Sequence, residues 1–100
     1  MIAPGDIVPR RDSDHELYVA VLSNAFHLAA ATGRVITCPF VHGKLPDDVM
    51  AMVVAVERPE GALLPELVQW LPSSAFDEPI GTVGVAALRE AASIVAALIS

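Results

Sequence analysis

Cysteine is nearly absent from this chain of 100 residues. Its one thiol, Cys38, cannot close an intramolecular disulfide, and no neighbouring Cys or His gives it zinc-ligand spacing. A reducing, cytoplasmic setting is expected, with no metal and no cofactor. Positive charge is scarce as well. Six bases stand against twelve acids, for a net charge of -6, which is the wrong sign for general attraction to phosphates, so any nucleic-acid contact must be local. No uninterrupted apolar run approaches the roughly 18 residues that read as a membrane helix, and the chain opens Met1-Ile2-Ala3-Pro4-Gly5-Asp6 without a basic region. Neither a membrane span nor an export signal is expected. Internal repeats and low-complexity tracts are also missing.

What the chain does have is apolar bulk. Hydrophobic residues make up 54% and charged residues 18%, a balance that folds, and the length allows one domain over 1–100. A core this small cannot hide so much apolar surface, which points to a homodimer.

Gly5-Asp6-Ile7-Val8 reads as an edge strand, because Pro9 forbids a central ladder position. The loop Arg10 to Glu16 follows and is charged throughout. Leu17 to Ser23 is dense in β-branched and aromatic residues and shows little alternation, as in a central strand buried on both faces. Asn24 to Gly33 closes as a short helical turn ending on a glycine. Arg34 to Phe40 is a second long strand, Val41 to Asp48 a loop, Met50 to Val56 strand-like and Arg58 to Gly61 a turn. Pro65 leaves Leu67 to Leu71 as a further strand, Pro72 to Pro79 is a polar loop, and Ile80 to Val83 adds a short strand. After Gly84 the spacing turns helical, with Val85, Leu88, Ala92, Val95 and Ile99 on one face and Arg89, Glu90 and Ser93 on the other. The sum is a mainly β fold, an antiparallel sheet or small barrel with a C-terminal helix packed on it.

These segments resemble the toxins of the CcdB/MazF (PemK-like) superfamily from bacterial type II toxin–antitoxin modules. Gly5-Asp6-Ile7 is similar to the family's opening strand. Tyr18-Val19-Ala20-Val21-Leu22-Ser23-Asn24 is similar to its Pro-Ala-Val-Val-Leu-Ser-Asn strand, and Arg34 to Phe40 to its third strand, which ends in a proline. Glu66-Leu67-Val68-Gln69-Trp70-Leu71, Ile80-Gly81 and the final helix match the spacing of the MazF back half. The resemblance implies an SH3-like barrel, a homodimer, and neutralisation by a cognate antitoxin whose disordered tail wraps the toxin. It also implies one of three activities: a metal-independent MazF-like endoribonuclease acting on RNA, a CcdB-like toxin that binds DNA gyrase without chemistry, or a degenerate member that only binds antitoxin. The MazF branch uses an Arg and a Thr at the places of Leu17 and Val41, and the CcdB branch a C-terminal Trp-Gly-Ile where this chain ends Ala97-Leu98-Ile99-Ser100.

With neither set of residues present, the site has to be read from the chain itself. If the strands Leu17 to Ser23 and Arg34 to Phe40 pair antiparallel with Ser23 opposite Arg34, His15 faces His42. Arg10, Arg11 and Lys44 then gather at the same end of the sheet. RNA cleavage without metal needs a base for the 2′-hydroxyl, an acid for the leaving oxygen and a cation for the phosphate. His42 is assigned as acid or base, His15 as its complement and Arg11 as the catalytic cation, with Arg10 and Lys44 as phosphate contacts. The plain alternative is that both histidines are exposed loop residues and the arginines balance Asp12, Asp14 and Glu16. His27 is expected to be structural, Ser23 and Asn24 to satisfy strand-end backbone groups, Cys38 to be buried and inert, and Trp70 to be a dimer anchor or core residue.

Overall fold

The two apolar stretches without alternation build the middle of the sheet. In the computed structural model, which describes residues 1–43 and 52–100, β1 (Asp6–Pro9) and β2 (Tyr18–Val21) pair antiparallel, and β2 pairs with the long β3 (Arg34–His42). Neighbouring residues of these strands enter different clusters. Ile7, Ala20 and Cys38 pack toward one face of the sheet, while Val8, Val19 and Val21 pack toward the other. Burial on both faces explains why β2 shows no polar alternation.

The far edge of β3 is shared by two strands. β6 (Gln69–Pro72) takes its first half, from Arg34 to Thr37, and β5 (Gly61–Leu63) takes Phe40 to His42. β4 (Val54–Val56) lies outside β5, and β7 (Gly81–Thr82) lies beside β1. The result is a curled antiparallel sheet, a half-barrel with the C-terminal helix laid across it, which matches the fold class expected from the sequence.

Several boundaries differ from expectation. β1 is not an edge strand, because β7 covers Asp6 and Ile7; Pro9 lies beyond that pairing, and its carbonyl accepts the Asp77 N–H at 3.0 Å. Gly61, read as the last residue of a turn, opens β5. Pro65–Leu67 is a 3-10 turn, so β6 starts at Gln69, and the Pro72 to Pro79 loop buries Ala75 and places Phe76 in the cluster of Val8, Val19 and Val21. Met50 and Lys44 lie outside the described residues.

α1 (Ala25–Ala29) starts where Asn24 Oδ1 accepts the His27 N–H at 2.8 Å, an N-cap bond. After it, Ala31 takes a left-handed φ of 50°, and Gly33, the glycine expected to end the segment, takes φ 86°. α2 (Val85–Ile99) begins where the spacing predicts, but its packed face is rotated. Ala87 and Ala91 are buried, with Leu88 and Ile94 packed beside them, while Val85 and Ile99 stay 67% and 76% exposed. Small residues let the helix lie close to the sheet, and that closeness selects the alanine stripe over the bulkier one.

Candidate active site

The β2–β3 ladder ends at Tyr18 opposite Phe40, and the candidate site lies just beyond it. His42, two residues past Phe40 and therefore on the same face of β3, is exposed. Its imidazole stands perpendicular to two rings. The Tyr18 ring centroid is 4.7 Å away at 88°, and that of Phe40 is 5.0 Å away at 84°. Diagonal cross-strand neighbours lie within reach of aromatic side chains, and edge-on contacts of this kind hold ring orientation. The Tyr18 hydroxyl in turn donates to the carboxylate of Glu16. That bond, more than burial, raises the phenol's pKa, so Tyr18 keeps its proton at neutral pH.

The register is shifted by one residue from the one expected. Val21 sits opposite Thr37 and Tyr18 opposite Phe40, so the ladder continued two residues further brings Glu16, not His15, toward His42. A one-residue slip exchanges every facing pair. His15 is exposed in the loop before β2, where its backbone N–H donates to Ser13 Oγ at 3.1 Å. Arg10 and Arg11 are each turned toward a carboxylate. Arg10 grips Asp12 through Nε and Nη2 at 2.9 and 2.8 Å, which raises its own pKa and holds the Asp12 carboxyl below the usual range. Arg11 Nη2 meets Asp77 Oδ1 at 3.1 Å, with both side chains more than half exposed. Lys44 lies outside the described residues.

The other polar groups serve the fold. Ser23 is buried; its Oγ accepts the Ile36 N–H at 2.8 Å and lies 2.7 Å from His27 Nδ1, which ties α1 to β3. Thr37 donates to the Gln69 carbonyl at 3.1 Å. Trp70 is 53% exposed on β6, opposite Ile36, and so is not a core residue. A cavity of about 710 Å³ opens between the N-terminal residues, α1 and the Asp77–Pro79 segment, and its lining includes His27 but neither His15 nor His42. Among the described residues no group of His, Cys, Asp and Glu is placed to hold a metal ion.

Comparison with known proteins decides the family. Residues 5–98 match the family model described as type II toxin-antitoxin system toxin Rv0299. The chain is also 73% identical over 99 residues to Toxin Rv0299 of Mycobacterium tuberculosis (strain ATCC 25618 / H37Rv), covering 99% of each. The chain belongs to this toxin family. It is therefore the toxin of a type II toxin–antitoxin system, and its partner is an antitoxin.

Solved structures share the toxin's fold at low identity. An endoribonuclease in complex with its cognate antitoxin from a mycobacterial species superposes with a TM-score of 0.77 at 13% identity, covering 97% of this chain and 93% of that one. MazE–MazF from Deinococcus radiodurans superposes with a TM-score of 0.80 at 17% identity, covering 99% and 95%. Leu17 and Val41, the positions at which the resemblance to the MazF branch implied an Arg and a Thr, are respectively 44% exposed and paired with Ala62 on β5. Tyr18 and Glu16 escaped the sequence reading as site residues. The signal available was their spacing of two, which puts both on one side of an extended segment, but Glu16 read as one charge among many in the loop.

Proposed function

We propose that the toxin arrests growth by cleaving RNA without a metal ion, at the open end of the β2–β3 ladder. The observation that carries this reading is His42, an exposed imidazole held edge-on by Tyr18 and Phe40 beside a loop rich in guanidinium and carboxylate groups. His42 serves as one proton-transfer group. The Arg10 to Glu16 loop supplies its complement, with His15 the imidazole it offers, and Arg11 and Arg10 turn from their exposed carboxylate partners to the phosphate, joined by Lys44. The exposed Arg11–Asp77 ion pair is weak enough to exchange partners in this way. The fold shared with a solved endoribonuclease supports the same reading. RNA as substrate places the toxin's work in the cytoplasm, its exposed apolar residues argue for a homodimer, and an antitoxin that covers the Arg10 to Glu16 loop would silence it.

The test is incubation of antitoxin-free toxin with a long structured RNA in EDTA, beside its His42→Ala variant, with mapping of new 5′ ends. The parent is expected to cut at specific sequences and the variant to cut about 10²- to 10⁴-fold more slowly, the range that one general acid or base supplies. Equal cutting by both overturns the role of His42. A second reading, binding of a protein target without chemistry, is favoured by the net charge of -6 and by the exposed end of α2, where Leu98 and Ile99 are 49% and 76% exposed. Growth arrest without any cuts, relieved by substitutions from Leu98 to Ser100, would establish that reading instead.

A further inference from the structure

We infer that Glu16 is the base that completes the His42 site, an assignment that rests on the ribonuclease reading and moves the complement's role from His15 to its neighbour. Three observations converge on it. The observed ladder, continued past Tyr18 and Phe40, carries Glu16 toward His42 and leaves His15 out of step. Glu16 accepts a hydrogen bond from the Tyr18 hydroxyl, which holds its carboxylate in place. The ring that carries this hydroxyl is the one packed 4.7 Å from the imidazole of His42.

Tyr18 thus links the two groups, its hydroxyl bonded to the carboxylate and its ring packed against the imidazole. Among the described residues no ion pair joins them. Two separate groups suit a phosphodiester, since the base and the acid of a transesterification work at opposite ends of the reacting phosphorus. Glu16 removes the 2′-hydroxyl proton as the 2′-oxygen forms its bond to phosphorus. The bond from phosphorus to the 5′-oxygen breaks, and His42, entering as the imidazolium, protonates the departing oxygen. The products are a 2′,3′-cyclic phosphate and a 5′-hydroxyl end, and solvent returns the two groups to their starting protonation. Tyr18 is a positioning residue here: its hydroxyl holds the carboxylate and its ring holds the imidazole. His15 has no comparable anchor, because the bond that fixes it comes from its backbone N–H. Preorganised groups have the advantage over mobile ones of the same chemical type.

The experiment compares five proteins on one structured RNA in EDTA: the parent, Glu16→Gln, His15→Ala, Tyr18→Phe and His42→Ala. Glu16→Gln keeps an acceptor for the Tyr18 hydroxyl but removes the base, and is expected to lower kcat about 10²- to 10⁴-fold and by more than His15→Ala lowers it. Tyr18→Phe keeps the ring and loses the tether, so kcat falls less than in Glu16→Gln and KM is unchanged. Glu16 and His15 are exposed, and retained antitoxin binding and thermal stability confirm that the variants are folded. Parent-like cleavage by Glu16→Gln, with His42→Ala inactive, overturns the inference and leaves the ribonuclease reading standing. If His15→Ala is the inactive variant, the complement is the imidazole. If the parent makes no cuts, both fall together.

Discussion

Cys38 carries the only thiol of the toxin, and its surroundings decide what that thiol can do. The side chain is fully buried in the cluster beneath α2, and this burial pushes its pKa up to about 12, outweighing the opposing effect of the nearby Leu64 backbone. A thiolate is the reactive form, so the folded toxin is expected to resist iodoacetamide near pH 8 and to be alkylated quickly once unfolded. The same shift has a consequence for stability. The folded state keeps a proton that the unfolded chain releases above about pH 9, so stability is intact below that pH and falls between about 9 and 12, by about 1.4 kcal/mol per unit. Tyr18 pulls in the same direction. Urea unfolding of the parent and of Cys38→Ala at a series of pH values separates the two, and an identical pH slope in both would remove Cys38 from the account. The inert thiol was legible in the sequence, since Cys before Pro in an apolar strand has little else to be. Glu16 was not, because a loop carboxylate acquires meaning only when the register says what faces it.

Among the elements, β5 matters most to the site and was the hardest to read. Its three residues sit between a turn and Pro65, too few for any period to show. Yet Gly61 lies opposite both His42 and Val56, and its hydrogen side chain is what lets β5 approach β3. A Cβ at that position would run into the Val41 carbonyl oxygen and come 2.6 Å from Phe40 Cζ. The carbonyl belongs to the ladder and cannot move aside as a flexible side chain would, so β5 would have to separate from β3. Gly61→Ala is expected to destabilise by about 3 kcal/mol or more, the upper part of the range for overpacking. It should also reduce cleavage, because the Phe40 ring that it displaces packs against His42. An unchanged urea midpoint would refute the close approach. The contrast with α2 is instructive: fifteen residues displayed a clear helical period, but with apolar side chains most of the way round, the period could not say which stripe the sheet would choose.

For the molecule as a whole, the net charge of -6 constrains how RNA can be held. An acidic surface repels the phosphate backbone everywhere except where bases gather, and in this toxin the proposed gathering is Arg10, Arg11 and Lys44. Each phosphate neutralised on a single strand releases about 0.7 of a counterion, so a site of about three contacts should give a slope of log K against log salt near -2. Binding of a fluorescent RNA to the inactive His42→Ala toxin, followed by anisotropy across a range of salt, measures this slope directly. A slope near -2 is what a local clamp produces, and Arg11→Ala should make it shallower by less than one unit while leaving stability within about 1 kcal/mol, as expected for an exposed ion pair with Asp77. A slope of -5 or steeper would require a broad basic face that six bases against twelve acids cannot supply from one chain. It would mean that two copies hold one strand together, which places the RNA across a dimer and not within a single barrel end.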